Sequence, residues 1–412
     1  MATDISTAPP IAPAPKRRPP RLTYNGKWAL GFLIAAIVVF LVYQYLLPQL
    51  NDNINSFFND WLPMSVVDEC MVWVICALGL NVVVGYAGLL DLGFVAFWAI
   101  GGYVAGWLFS GFIFGVSWSV FGSAPANAPG IHVNFWLVLV VAGFICAIAG
   151  MLIGAPTLRL KSDYLALVTL GFGEIIPQFF RNGDDIFGHN FTNGTRGITP
   201  TDQISGPGFK LGPFDLQAQF VVMCVLVSLV VFVSLRLRTG RLGRAWLAIR
   251  EDELAASMMG VPLMRTKLSA YAVGAVAGGL GGVAFAAHIA AVIPDRFDFS
   301  ISITLLAMVV LGGMGNVWGV MIGALVLAWV NANGLKQGGA AINSAFGTDF
   351  NFQSWNYGLF GAILVLMMLF RREGLLPEAR TKLLMREPDK GLIGTHGIDL
   401  EDAIDQGLEE VK

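Results

Sequence analysis

Roughly ten apolar runs, each about as long as a bilayer-crossing helix, leave this chain few ways to fold. They cover residues 28–47, 66–84, 86–109, 134–154, 164–180, 218–235, 268–291, 299–314, 317–334 and 355–370. A helix crosses the hydrocarbon core with about 20 apolar residues. Within lipid, backbone polar groups must be satisfied inside the protein, which favours complete helices. The expected fold is therefore all-α, a polytopic transmembrane bundle of roughly ten spans. Composition agrees: 13% of the 412 residues are charged, against roughly 25% in a soluble domain. A net charge of −2 gives no footing for nucleic acid.

Charge placement orients the spans. Basic residues cluster before residue 28, at Arg159 and Lys161, across 236–267 and at Arg371–Arg372. With ten spans and the N-terminus inside, all four clusters fall on the cytoplasmic side, as the positive-inside rule requires. The segment 48–65, with Asp52 and Asp60, and the polar loop 181–217 then lie outside. That loop reads as a lid, a docking surface or a tether. Residues 1–27 are rich in Pro and basic and read as a disordered cytoplasmic leader. The run 28–47 is too long for a signal-peptide core and no small-residue cleavage site follows it, so it reads as a retained span. Residues 28–372 form the membrane domain, and 373–412 a cytoplasmic tail ending in acidic residues.

The loop 236–267 is the most charged part of the membrane domain. Arg236, Arg238, Arg241, Arg244, Arg250, Arg265 and Lys267 crowd it. Its middle, Gly243 to Met259, lacks proline and is rich in Ala, Leu, Met and Glu, which predicts a helix. Gly260-Val261-Pro262 supplies the stop. Arg250-Glu251-Asp252-Glu253 puts charge around a full turn, so no side of that turn suits lipid. Such a helix is either a lever for a partner on that side or a solvated connector.

Charged groups within spans are expensive and mark functional candidates. Asp91 sits among Gly85, Gly88 and Gly93, a pattern that predicts a broken helix. Glu174 follows Gly171 and Gly173, with Pro177 within a turn. Each could line a translocation path, or instead bind backbone amides freed by the break. Asn81 reads as a helix-bridging group, Thr169 as bonding its own helix backbone, and His288 as a core histidine. Asp68 and Glu69 fall at a span end where solvent exposure is expected. Gly274, Gly278 and Gly282, and Gly102 and Gly106, have the spacing of closely packed helices. Leu311-Gly312-Gly313-Met314-Gly315-Asn316 predicts a tight turn or a second break. Cys70, Cys76, Cys146 and Cys224 lack metal or disulfide spacing and read as small buried residues. There is no phosphate-binding loop, zinc motif or dinucleotide fingerprint, so the chain is expected to carry no cofactor and to hydrolyse no ATP itself.

Several runs resemble the M-type permeases of branched-chain amino acid ABC importers. They are Gly154 to Leu160 and Asp163 to Ile175, Ala77 to Asn81, Gly88 to Gly93, Thr192 to Gly194 with Ile198, Gly243 to Trp246 through Glu253, and Val310 to Gly315. The resemblance covers roughly 66–370. It implies a heterodimer with a homologous H-type permease, two cytoplasmic ATPase subunits and a periplasmic binding protein. It makes 243–260 a coupling helix, with Arg244, Arg250, Glu251, Asp252, Ala255, Ala256 and Gly260 as its coupling residues. Asn81, Asp91, Thr169 and Glu174 become pathway or gate candidates. Importer permeases often carry Glu-Ala-Ala-x-x-x-Gly in this loop. Here Leu254 stands first, before Ala255 and Ala256, and Glu253 lies one place early. The expected function is import of branched-chain or other neutral amino acids by alternating access. The alternatives are an ion-coupled secondary transporter using Asp91 or Glu174, a urea-type permease, and a membrane scaffold.

Overall fold

The computed structural model describes residues 24–46, 49, 52–113, 117–120, 129–160, 162–186, 188–202, 204–206, 209–211, 215–347, 350–371 and 374–376. The leader before residue 24 and the tail beyond 376 lie outside the described residues, as do Lys161 and Arg372. The chain divides into two compact units, Met1–Asn51 and Asp52–Lys412. The first contains α1 (Tyr24–Leu41), which runs into a π turn, Val42–Leu46. Leu30, Leu33, Ile34, Ile37 and Val38 on α1 are exposed, an arrangement suited to lipid.

The second unit is built around α3 (Met64–Leu80) and α10 (Leu263–Ile289). Most of α3 is buried, with α7 (Leu216–Thr239), α10 and α12 (Val317–Trp329) packed around it. On its other sides α10 packs against α4 (Val95–Leu108) and α5 (Phe135–Thr157). Small residues permit this closeness, because lipid tails give apolar helices no hydrophobic reason to associate and packing must do it. A Cβ on Gly101 would lie 2.3 Å from the Gly279 carbonyl oxygen, and one on Gly282 would lie 2.2 Å from that of Trp98. Of the glycines whose spacing the sequence shows, Gly278 and Gly282 lie against α4, whereas Gly274 lies against Gly79 and Val83 and Gly106 against Ile198 and Val292. Trp98 fills the space beside the α4–α10 contact, edge-on to Trp73 at 5.0 Å and to Phe285 at 5.1 Å. All four cysteines are free, three of them buried, and Cys146 lies 3.6 Å from the Phe97 carbonyl oxygen.

Every predicted run contains a helix, but their lengths differ. Among the described residues, six segments are long and apolar enough to cross a membrane: Lys27–Tyr45, Asn55–Tyr86, Phe135–Thr157, Leu216–Thr239, Leu263–Ile289 and Val317–Phe346. The fold is therefore an all-helical, multi-pass membrane bundle with at least six long spans. The predicted run 86–109 keeps only α4 as helix. The run 317–334 instead continues through a π turn, Val330–Gly334, into α13 (Leu335–Phe346). The unit also contains α6 (Ser162–Arg181), α11 (Phe299–Gly312) and α14 (Asn356–Phe370).

Two regions depart from the sequence reading. The segment 48–65 contains a helix, α2 (Asp52–Trp61), whose last carbonyls are capped from afar. Asn333 Nδ2 donates to the Asp60 and Trp61 carbonyls at 2.5 and 3.0 Å, and Trp329 Nε1 donates to Trp61 at 2.9 Å. Asp68, expected in solvent, is completely buried, and both its carboxylate oxygens lack hydrogen-bond partners among the described residues. It lies on the side of α3 that neighbouring helices cover, whereas Glu69, one residue on, is half-buried beside Trp73 Nε1 at 3.5 Å. Position along a span sets depth, but rotation about the helix sets exposure.

Small strands, absent from the sequence reading, fold the connecting loops. β1 (Phe109–Ser110), β3 (Gly130–Val133) and β2 (Ser117–Val120) form one sheet in that spatial order. β4 (Ser205–Gly206) pairs with β5 (Phe209–Lys210). The loop 181–217 is pinned to the helix ends rather than hanging free: Ile198 bridges to Val292, and Thr201 Oγ1 donates to the Ala286 carbonyl at 3.1 Å. His132 Nδ1 and Asp202 meet at 2.6 Å, and Arg181 meets Asp295 at 2.9 Å.

Candidate functional site

The basic loop forms two helices where the sequence predicts one. α8 (Arg241–Glu251) and α9 (Glu253–Met258) meet at Asp252, whose φ of −154° and ψ of 112° interrupt the helix. The Asp252 carboxylate accepts from the Ala255 amide at 2.9 Å. Aspartate is a favoured N-cap because its oxygen satisfies an amide that the first turn leaves orphaned, so Asp252 restarts the helix rather than continuing it. Gly260 then takes a φ of +85°, which ends α9 in a conformation costly for other residues.

The pair has two distinct faces. Trp246, Ile249 and Ala256 are buried. Trp246 Nε1 donates to the Thr266 carbonyl at 3.0 Å and to Ser269 Oγ at 3.1 Å, which fastens α8 to the start of α10. Lys267 Nζ and the Glu253 carboxylate meet at 2.5 Å and fasten α9 there as well. Arg250 also turns inward, donating through Nη1 to the Gly85 carbonyl. Burial lowers its pKa, Glu251 raises it and Arg238 lowers it further. A guanidinium starts so high that it stays cationic at neutral pH. The outer face shows Arg244, Glu251, Leu254, Ala255, Met258, Met259 and Gly260. Leu254, Met258 and Met259 are 66%, 78% and 86% exposed.

Of the seven predicted coupling residues, Arg244, Glu251, Ala255 and Gly260 thus lie on the outer face. Asp252 is exposed but serves as a cap, and Arg250 and Ala256 face inward. Sequence reasoning missed Trp246, the Lys267–Glu253 pair and the apolar group. Only Leu254 left a signal, by standing where a glutamate is usual.

Behind this pair lies the predicted break. α3 loosens into a π turn, Asn81–Tyr86, and the chain then runs without helix to α4. Gly88 holds a φ of +69°, and a Cβ there would lie 2.8 Å from Arg250 Cγ. Asn81 Oδ1 accepts from the Gly315 amide at 2.9 Å, joining the π turn to the α11–α12 connection. Thr169 Oγ1 accepts from the Leu92 amide at 3.2 Å, and Ser302 Oγ from the Val95 amide at 3.1 Å. Asp91 is buried. One of its oxygens accepts from the Gly93 amide at 2.9 Å, and Tyr271 on α10 bonds the same carboxylate. Freed backbone groups in a membrane segment are costly unless re-satisfied; here Thr169 on α6, Ser302 on α11, Arg250 on α8 and Asp91 in the break itself supply the partners.

Asn81, Asp91 and Thr169 therefore come together at one break, while Glu174 does not join them. It is exposed on α6 and, with Ile175, Gln178, Phe179, Asn182 and Ile186, lines an open groove of about 550 Å³. The α11–α12 turn is itself strapped. Leu375 and Leu376 amides donate to the Leu311 and Gly312 carbonyls at 2.8 and 3.2 Å, and Asn316 Nδ2 donates to the Leu376 carbonyl at 3.1 Å.

Comparison with known proteins bears on what this arrangement does. Residues 63–368 match the family model described as the permease component of branched-chain amino acid transport systems. The chain is 35% identical over 339 residues to the high-affinity branched-chain amino acid transport system permease protein LivM of Salmonella typhimurium, covering 78% of this chain and 72% of that one. Its match to the Escherichia coli LivM has the same identity and the same coverage. It is also 27% identical to the Salmonella typhimurium permease protein LivH, over 48% of this chain and 65% of that one. No solved structure matches.

Proposed function

This chain belongs to the permease components of branched-chain amino acid transport systems, and from that premise we propose that it is the membrane half-channel of an ATP-driven importer. It is a transport subunit, not an enzyme. Its substrates are leucine, isoleucine, valine and similar neutral amino acids. It pairs with a homologous H-type permease, takes substrate from a periplasmic binding protein, and is driven by two ATPase subunits on the cytoplasmic side of the bacterial inner membrane. The basic loop lies on that side, with both termini.

One observation carries the reading: the outer face of the α8–α9 pair. Leu254, Met258 and Met259 are exposed, as are the charged Arg244 and Glu251, while Trp246 and the Glu253–Lys267 pair hold the other face against α10. An apolar patch rimmed by charge on a rigidly backed element is suited to a protein partner. ATPase closure would push on this face, and the spans would open toward one side or the other. Substrate shifts that equilibrium only through differential affinity for the two states.

The test is co-purification of the tagged chain with the products of its genomic neighbours, followed by an ATPase assay in lipid. Recovery of ATPase subunits, with hydrolysis stimulated by a leucine-loaded binding protein, is the expected result. A chain that purifies alone and moves substrate on an ion gradient would be a secondary transporter instead. Within the complex, Glu251→Lys combined with Asp252→Lys is expected to uncouple transport from hydrolysis. The chain should stay folded, because losing the Asp252 cap costs about 1 kcal/mol. Normal uptake by that variant would remove the outer face from the mechanism.

A further inference from the structure

The end of α3 has a carbonyl that its own helix cannot use. In the π turn the Ala87 amide donates to the Val82 carbonyl and the Leu89 amide to Val83, and the Gly85 carbonyl instead receives the Arg250 guanidinium. A cation at a helix C-terminus both fills an orphaned acceptor and meets the negative end of the helix dipole. The arginine stem is equally fitted, since it lies over Gly88 where any side chain would collide with it. From this carbonyl the connections run inward, through Asn81 to Gly315 and through the break to Asp91 and Thr169.

We propose that Arg250 is a positioning residue that ties the α8–α9 pair to the end of α3, so that displacement of the pair is delivered directly to the break around Asp91. This rests on the importer reading for its driving force but not for the tether itself. Arg250 thereby changes role, from a contact with the partner to a link within the chain.

The test uses Arg250→Met, which keeps the apolar stem and loses the donor, and Arg250→Lys, which keeps a donor and the charge. In the reconstituted complex with leucine-loaded binding protein, Arg250→Met should retain its ATPase subunits but lose about tenfold in uptake per ATP, the scale of a lost charged hydrogen bond. Arg250→Lys should recover at least half of that loss. Uptake per ATP within twofold of wild type in Arg250→Met overturns the proposal, as does loss of the ATPase subunits, which would make Arg250 a partner contact. If Arg250→Met does not reach the membrane, Arg250→Lys decides alone: retained coupling supports the tether, and lost coupling in an assembled complex overturns it. A second readout needs no partner. In the isolated chain in lipid, hydrogen exchange at the Leu89, Leu92 and Gly93 amides should rise about tenfold in Arg250→Met and fall back in Arg250→Lys. Unchanged exchange defeats the tether even where the importer reading holds. A wild-type chain that recovers no ATPase subunit defeats the importer reading while leaving this measurement to judge the tether.

Discussion

Among the described residues of the second unit, two π turns lie at the ends of long apolar helices, and they end differently. At Asn81–Tyr86 the helix stops, and residues 87–94 run without helix before α4 begins. At Val330–Gly334 the helix loosens and then continues into α13. Each turn contains an asparagine that reaches another element: Asn81 accepts from the Gly315 amide, and Asn333 donates to the carbonyls at the end of α2. A widened turn is therefore not what breaks a helix. The first site adds Gly85, Gly88 and Gly93, a guanidinium on the Gly85 carbonyl and acceptors for the amides beyond it. Once outside groups satisfy the backbone, the helix no longer has to.

That contrast can be broken by changing the space at each turn. Gly85→Ala should have the largest effect, since its Cβ would lie 2.1 Å from Asn81 Oδ1 and 2.7 Å from the Gly315 amide nitrogen. Uptake should be lost and the yield of folded chain should fall; wild-type uptake would show that the junction has slack. Asn333→Ala should cost about 1 kcal/mol in thermal stability, because it removes hydrogen bonds to the Asp60 and Trp61 carbonyls while Trp329 still donates to Trp61. Its uptake should stay near wild type, and a transport defect without a stability change would place the second turn in the mechanism. Asp91→Asn should be mildest in stability, because an amide oxygen can still accept from Gly93. A severalfold change in transport kinetics with unchanged melting would then mark Asp91 as part of the path. Unchanged kinetics would leave it as a backbone anchor.

The break was legible because its cause is local: glycines around a buried carboxylate have few other uses in an apolar run. The basic loop was legible for a similar reason, since charge has only a few places to go in a membrane protein. What stayed hidden depends on rotation and on distant partners. The long spans are apolar on nearly all sides, so periodicity gives little sign of which side is covered. Its place at a span end puts Asp68 in solvent, yet its side of the helix is covered and it is buried. The continuation of the helix past Gly334 and the inward turn of Arg250 depend on α2 and the π turn, both remote in sequence. The kink at Asp252 was within reach, since an aspartate followed by helix formers is a cap as readily as an interior residue. Of the candidate site, the sequence indicated the charged loop and the break and left their connections to the fold.

The short strap over the α11–α12 turn has a consequence for biosynthesis. Among the described residues, the carbonyls of Leu311 and Gly312 and the side-chain amide of Asn316 take partners from Leu375 and Leu376, more than fifty residues downstream. A ribosome must therefore translate past α14 before that turn is complete, and the turn is one place where a chain terminated before residue 374 differs from a finished one. Fusion tags and truncations that spare residues 374–376 leave it whole, and those that begin earlier reproduce the unfinished chain.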